Sequence, residues 1–262
     1  MKRLIVVALM LSALYAAPRA ARTPVYTPPP TSADAVRDVD FAAALPLDED
    51  YRAQFERCDK ENIFRDVVMK NSRRCKNDPN RVRALLKFPN GAVFFESKMG
   101  LDLDGSQKAC NNAGTTDQCP TWFTWPGLAG NARFVDSDVF PYVVIPIAGI
   151  NGQGSAEFRN KTHVDSGDLG VVVFRGKVVP VFVADGGPHN KLGEGSAALF
   201  RELGQDRCLT FGQGVHCKKY RDVSIDGGVL FFLFPGSKIA GLTPENALEK
   251  VKQEALRRFA EL

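Results

Sequence analysis

The sequence predicts a mainly β protein with flanking helices, of the α+β class, built on a six-stranded β-barrel-like core. Short β-rich runs punctuated by Gly and Pro fill the chain from Ala92 onward. Apolar residues recur at helical spacing before that region and again at the carboxyl-terminal end. An apolar fraction of 44% over 262 residues is enough to bury a proper core.

The first residues indicate export. Lys2 and Arg3 precede an apolar run from Leu4 to Leu14, and small residues follow. This order is typical of a secretory signal peptide, which we assign to residues 1–20. An uncleaved membrane anchor is the alternative, but the apolar run is shorter than the roughly 20 residues that span a bilayer. We therefore expect a secreted or periplasmic protein with no membrane span after signal cleavage.

Two segments precede the β-rich region. Residues 21–45 carry four prolines among Thr, Ser and Ala, a composition that favours extended chain, and we expect a linker there. Residues 46–90 show helical apolar spacing with a break at Asn77 to Asn80. This pattern predicts two short helices joined by a disulfide bond between Cys58 and Cys75.

The β-rich region contains five clear strand signals, namely Ala92–Glu96, Tyr142–Pro146, Leu169–Phe174, Lys177–Ala184 and Val229–Phe234. The third and fourth form a hairpin that is apolar on both faces, as expected inside a barrel or beneath a helix. The double-psi barrel is one candidate arrangement. Ser196 and Gly204 bracket a short helix, and residues 242–262 predict an amphipathic terminal helix.

The six cysteines fit an oxidising compartment. Six thiols allow 15 pairings, but their placement in short turn-rich loops favours three local ones. We predict the pairs Cys58–Cys75, Cys110–Cys119 and Cys208–Cys217. His216 beside Cys217 suggests zinc, yet the chain has no C-x-x-C and only two other histidines, so we expect no metal and no cofactor.

The charge distribution argues against a nucleic-acid partner. The formal net charge is +4, but three of those charges come from Lys2, Arg3 and Arg19 and would leave with the signal peptide. Residues 92–240 contain 14 Lys and Arg against 15 Asp and Glu. Nucleic-acid binding requires a clustered basic surface, which this balance does not provide.

Asp185 and Glu194 have the residue types that glycoside hydrolysis requires. One carboxyl group must give a proton to the leaving oxygen, and another must act on water or on the sugar. Asp185 ends a predicted buried strand, and Glu194 lies in a loop rich in glycine just before a helix. The alternative from these residues alone is a surface turn with two solvated acids.

Longer segments, in order and spacing, resemble glycoside hydrolase family 75, the chitosanases. They are F-E-S-K-M-G-L-D-L-D-G (95–105), V-D-S-D-V-F-P-Y-V-V-I-P (135–146), G-D-L-G-V-V-V (167–173), D-G-G-P-H-N-K-L-G-E-G-S (185–196) and F-L-F-P-G-S (232–237). The resemblance covers roughly residues 92–240 and suggests a catalytic domain over residues 91–241.

The resemblance implies a secreted, endo-acting, inverting hydrolase of chitosan-like β-1,4-linked glucosamine polymers, with Asp185 and Glu194 as the catalytic pair. We assign Glu194 as the acid and Asp185 as the base, and inversion predicts carboxyl groups about 6.5 to 9.5 Å apart. An ammonium-bearing sugar also favours an acidic cleft. The candidate substrate-binding residues are Asp102, Asp104, Asp136, Asp138, Asp168, His189 and Lys191.

The sequence also allows other interpretations. The chain could be a non-catalytic glycan-binding envelope protein, or a hydrolase or effector acting on peptidoglycan. The five candidate aspartates could serve turns instead of substrate. Trp122 and Trp125 could stack on sugar rings or fill the core. We expect a polysaccharide as the partner and a monomer as the working form.

Overall fold

The computed structural model describes residues 25–111, 117–154 and 156–262. The predicted signal peptide, residues 1–20, lies outside them. The strands are β1 Leu45–Pro46, β2 Ile63–Phe64, β3 Val67–Val68, β4 Ala84–Lys87, β5 Val93–Asp102, β6 Tyr142–Pro146, β7 Leu169–Phe174, β8 Lys177–Gly187, β9 Glu194–Ser196, β10 Cys208–Phe211, β11 Cys217–Tyr220 and β12 Ile225–Phe234. The helices are α1 Glu49–Glu61, α2 Gln107–Cys110, α3 Glu157–Thr162, α4 Ala197–Glu202 and α5 Pro244–Phe259.

Six strands close into a barrel. They follow the order β5, β12, β7, β8, β6 and β9, and β9 pairs in turn with β5. The β5–β9 and β6–β8 pairs are parallel, and the other pairs around the barrel are antiparallel. The predicted α+β class and six-stranded barrel are thus confirmed, while the double-psi arrangement stays a prediction. Strands β4 and β1 extend the sheet from β5.

Successive side chains of a strand point to opposite faces of the sheet. Here neighbouring residues along the strands are both apolar, and both faces of the closed sheet are buried. Phe95, Val172 and Phe231 belong to one apolar cluster. Their chain neighbours, such as Phe94 and Phe232, belong to a second cluster that includes α5. This two-sided burial explains why the strands read as continuous apolar runs.

Residues 25–45, the described part of the segment predicted as a linker, are anchored on the barrel by several buried side chains, so the prediction of an unpacked linker is wrong for them. A 3-10 helix runs from Pro30 to Val36, and the side chains of Val36 and Phe41 are buried. The Tyr26 ring meets Phe94 edge-on at 4.8 Å between centroids, and its hydroxyl donates to Glu96 at 2.6 Å. Aromatic burial therefore outweighs the extended-chain preference of the prolines.

The segment at residues 46–90 contains one α-helix, not two. Helix α1 is capped by Asp48, whose side chain accepts from the backbone N–H of Tyr51. The second predicted helix is instead strand β4, which pairs with β5 in antiparallel register. A short apolar run fits a helix or a strand equally well. Here the run forms a strand because it can make backbone hydrogen bonds to the edge of β5.

The three predicted disulfide bonds are all present: Cys58–Cys75, Cys110–Cys119 and Cys208–Cys217. The carboxyl-terminal helix is also confirmed, with Thr243 and Asn246 forming a capping box at its start. Within the described ranges, no helix is both long and apolar enough to cross a bilayer.

Candidate active site

Asp185 and Glu194 lie on either side of one residue of strand β6. Val144 pairs with Asp185 on β8 and with Glu194 on β9. Cross-strand partners point to the same face of a sheet, so the two acids share a face. Neighbouring strands are about 4.8 Å apart, which puts the two α-carbons roughly 9 to 10 Å from each other.

The Asp185 side chain is only 6% exposed and is fixed at the end of β8. Its Oδ1 accepts from the backbone N–H of Trp122 at 3.0 Å. Burial, together with the charge of Asp104 and a hydrogen bond to it, raises the pKa of Asp185 to about 8. Asp185 can therefore hold a proton at neutral pH.

Glu194 begins strand β9, and 26% of its side chain is exposed. Two glycines make room for it: a Cβ at Gly100 would lie 3.3 Å from its Cγ, and one at Gly187 would lie 3.4 Å from its Oε2. Burial is the largest influence on Glu194 and raises its pKa above the ordinary value, although the nearby Lys98 ammonium opposes this shift. Glu194 thus reaches solvent while its stem is enclosed.

Asp102 and Asp104, two of the predicted substrate-binding acids, join Asp185 in one cluster. The three carboxylates have oxygens within 4.8 Å of one another. The Tyr142 hydroxyl lies 3.2 Å from Oδ2 of Asp102 and 2.9 Å from the carbonyl oxygen of Asp104. Burial is the largest cause of a raised pKa at both aspartates, and Asp185 raises the pKa of Asp102 further. All three carboxyl groups therefore hold their protons to a higher pH than an ordinary aspartate does.

Two buried lysines lie on the other side of Glu194. Lys98 on β5 is 1% exposed, and its Nζ is 3.8 Å from Oε1 of Glu194 and 3.0 Å from Oδ2 of Asp78. Lys191 is 4% exposed, and its Nζ is 2.9 Å from the same Asp78 oxygen. Sequence reasoning missed Lys98 and Asp78, although a lysine in the middle of a long β-strand is a signal that could have identified the first.

Asp136 and Asp138 belong to a separate group with His216. Their carboxylate oxygens and the imidazole nitrogen lie within 4.8 Å of one another, a spacing that could suit a cation. Asp138, however, already accepts from the hydroxyl of Tyr220 at 2.7 Å and from the backbone N–H of Cys217 at 3.2 Å. This group attaches the disulfide-bonded β10–β11 hairpin to the barrel.

The other three predicted substrate-binding residues make contacts within the fold, and their role in binding substrate stays a prediction. Asp168 is fully buried and accepts from the backbone N–H groups of Asp165 and Ser237. His189 is buried against the ring of Phe64, at 5.7 Å between centroids. Lys191 is held by Asp78, as described above. Of the three, His189 has a buried ring nitrogen, Nε2, with no hydrogen-bond partner among the described residues.

The two tryptophans have different environments. Trp125 is buried among the rings of Phe123, Phe140 and Phe182, so it is a core residue. Trp122 is partly exposed and donates its backbone N–H to Asp185. The Arg159 guanidinium lies 4.8 Å from the centre of its ring. Trp122 is therefore the tryptophan placed beside the candidate site.

Comparison with models of known protein families gave no match, and comparison with curated proteins gave none either.

Proposed function

We propose that this chain is an exported glycoside hydrolase that cleaves chitosan-like polymers of β-1,4-linked glucosamine with inversion, using Asp185 and Glu194. The observation that carries the proposal is the pairing of both residues with Val144, which presents two carboxyl groups on one face. Their α-carbons, roughly 9 to 10 Å apart, are compatible with the 6.5 to 9.5 Å carboxyl separation of inverting enzymes.

The protonation of the site supports the same chemistry. Hydrolysis of a glycosidic bond needs one protonated and one ionised carboxyl group at the same pH. The raised pKa of Asp185, about 8, provides a proton at neutral pH. Burial raises the pKa of Glu194 as well, but the Lys98 ammonium opposes that shift, whereas the neighbouring Asp104 adds to the shift at Asp185. The nearest charged neighbours of the two acids therefore act on their pKa values in opposite directions.

The substrate class follows from charge. Asp102 and Asp104 add carboxyl oxygens next to Asp185, and the ammonium group of a glucosamine unit could donate hydrogen bonds to them and favour their ionised form. The partly exposed ring of Trp122 adds an apolar surface against which a sugar could stack. The resemblance to glycoside hydrolase family 75 leads to the same substrate. The three disulfide bonds suit the oxidising compartment that export would supply.

The test is cleavage of chitosan, chitin and peptidoglycan by the folded protein, followed by product length and by the anomeric form of the first products. We expect shortening of chitosan with the α-anomer formed first. Asp185→Asn and Glu194→Gln should each lose at least about 100-fold in rate. Asp226→Asn and Glu202→Gln, changes of the same type outside the site, should retain the wild-type rate.

Each outcome has a definite meaning. Unchanged cleavage by both site variants would refute the mechanism. Cleavage of peptidoglycan and not chitosan would keep the mechanism and replace the substrate. Binding of a glycan without cleavage by the folded wild type would favour a glycan-binding envelope protein.

A further inference from the structure

The buried lysines next to Glu194 form a charge network that the two-carboxylate reaction does not by itself require. Lys98 and Lys191 both contact Oδ2 of Asp78, at 3.0 and 2.9 Å. Lys98 also lies 3.8 Å from Oε1 of Glu194. The charged groups therefore follow one another in the order Lys191, Asp78, Lys98 and Glu194.

The network is neutral only if Glu194 is ionised. Two buried ammonium groups carry two positive charges, and Asp78 supplies one negative charge. Burying an unpaired charge costs several kcal/mol, so the second ammonium group requires a second carboxylate. Glu194 is the other acid within ion-pair distance of Lys98 in the described parts of the chain.

The network is fixed in place by the loop that carries Asp78. Asn80, two residues later, accepts from the backbone N–H of Leu192 at 2.9 Å, and its carbonyl oxygen accepts from the N–H of Lys98 at 3.0 Å. Gly193, at φ +81°, allows the close approach to β5, since a Cβ there would lie 2.1 Å from the Lys98 carbonyl oxygen. The loop, β5 and β9 therefore hold the ammonium groups beside Glu194.

Charged groups from β5 and from three loops influence Glu194. Burial is the largest effect and raises its pKa above the ordinary value, and the charges of Asp78 and Asp104 add to this, whereas Lys98 and Lys191 lower it. Asp102, on the strand paired with β9, also interacts with it. The two ammonium groups are both next to Asp78, whereas Asp102 and Asp104 are clustered with Asp185.

We propose that Lys98 and Lys191, bridged by Asp78, are positioning residues that hold Glu194 as a carboxylate, which makes Glu194 the base and Asp185 the acid. This inference rests on the proposed function and reverses the assignment expected from the sequence. Asp185 gives its proton to the glycosidic oxygen as the bond from that oxygen to the anomeric carbon breaks. Glu194 takes a proton from the water whose oxygen bonds to that carbon. Asp185 ends ionised, Glu194 ends protonated, and solvent restores both.

The charge network can be tested without any substrate. In protein labelled with carboxyl-¹³C glutamate, the Glu194 signal is the one that disappears in Glu194→Gln, and its midpoint is followed against pH. Lys98→Met should raise that midpoint by about 1 to 3 pH units, because an opposite charge at this distance is lost. Asp78→Asn should lower it, because a like charge is lost.

An electrostatic role predicts that the two variants shift the midpoint in opposite directions, which a merely structural role does not. Lys177→Met, the same change at an exposed position, should leave the midpoint in place. Lys98→Arg should keep it close to the wild-type value. The proposal would be overturned if Lys98→Met or Asp78→Asn left the titration midpoint of Glu194 unchanged, or if both variants moved it in the same direction. If Lys98→Met does not fold, the sign of the Asp78→Asn shift decides.

Kinetics then test the assignment of acid and base. On a glucosaminide with a 2,4-dinitrophenolate leaving group, which needs no protonation, Asp185→Asn should keep far more of its activity than on chitosan. Glu194→Gln should lose activity on both and recover part of it with azide. The reverse pattern would overturn the assignment. If the wild type cleaves no glycan, the proposed function fails, while the titration still decides what the lysines do to Glu194.

Discussion

Replacing Asp185 with Asn should remove activity and, at neutral pH, make the fold more stable. Asparagine keeps the shape of a protonated aspartate. Its oxygen can accept from the backbone N–H of Trp122, and its amide can donate to Asp104 in place of the acid proton. The variant therefore keeps the native contacts and cannot ionise.

The size of the effect follows from the pKa of Asp185. The folded protein holds this proton up to about pH 8, whereas an unfolded chain releases it near its ordinary value of 3.8. A folded pKa above the unfolded one gives stability that is complete below about pH 4 and is lost as the pH rises through 8. At pH 7 the gap is about three pH units, or roughly 4 kcal/mol at 1.36 kcal/mol per unit. Because Asp104 shares the proton, we expect roughly 2 to 4 kcal/mol.

Thermal unfolding followed by circular dichroism at pH 4, 5.5, 7 and 8.5 measures this difference. At pH 4 the variant and the wild type should unfold together. At pH 7 the variant should unfold at least about 4 °C higher, since 1 kcal/mol shifts the midpoint by about 2 to 4 °C in a chain of this size. A constant offset at every pH, or a less stable variant at pH 7, would refute the reasoning.

Asp165→Asn provides a control of opposite sign. Partial burial raises the pKa of Asp165, but its ion pairs with Lys238 and Arg159 outweigh burial and hold that pKa below the ordinary value. A lowered folded pKa gives stability that is present above the unfolded pKa and is lost as the pH falls. Asp165→Asn should therefore be less stable than the wild type at neutral pH, and the deficit should shrink in acid.

Three further changes test the fold itself. Replacing Cys58 and Cys75 together by Ala should cost about 3 kcal/mol in urea unfolding, from the entropy of a loop with a sequence separation of 17; an unchanged midpoint would contradict this. Phe41→Ala should cost about 3 kcal/mol, and a neutral result would restore the linker interpretation of residues 21–45. Tyr142→Phe should cost about 1 kcal/mol, because its buried hydroxyl is bonded within the acid cluster, and no loss in the same assay would count against that bond.

Much of the barrel could be predicted because its signals are local. Strands β6 and β7 begin and end where the apolar runs do, and the N-cap at Ser196 begins α4 as expected. Strands β5, β8 and β12 extend beyond their predicted bounds, since pairing continues through polar and glycine residues. Hydrogen bonds to a neighbouring strand do not depend on the apolar pattern that the prediction used.

The amino-acid sequence by itself determined the fold class, five of the six barrel strands, the three disulfide pairs and the two acids of the candidate site. Each of these depends on residues that are near one another in the chain. The tertiary structure alone decided that residues 25–45 pack on the barrel, that residues 84–87 form a strand, and that Lys98 meets Asp78 and Glu194. These contacts join residues that are distant in the chain, and the free energy of burying a ring or pairing a buried charge depends on the partner that the fold supplies.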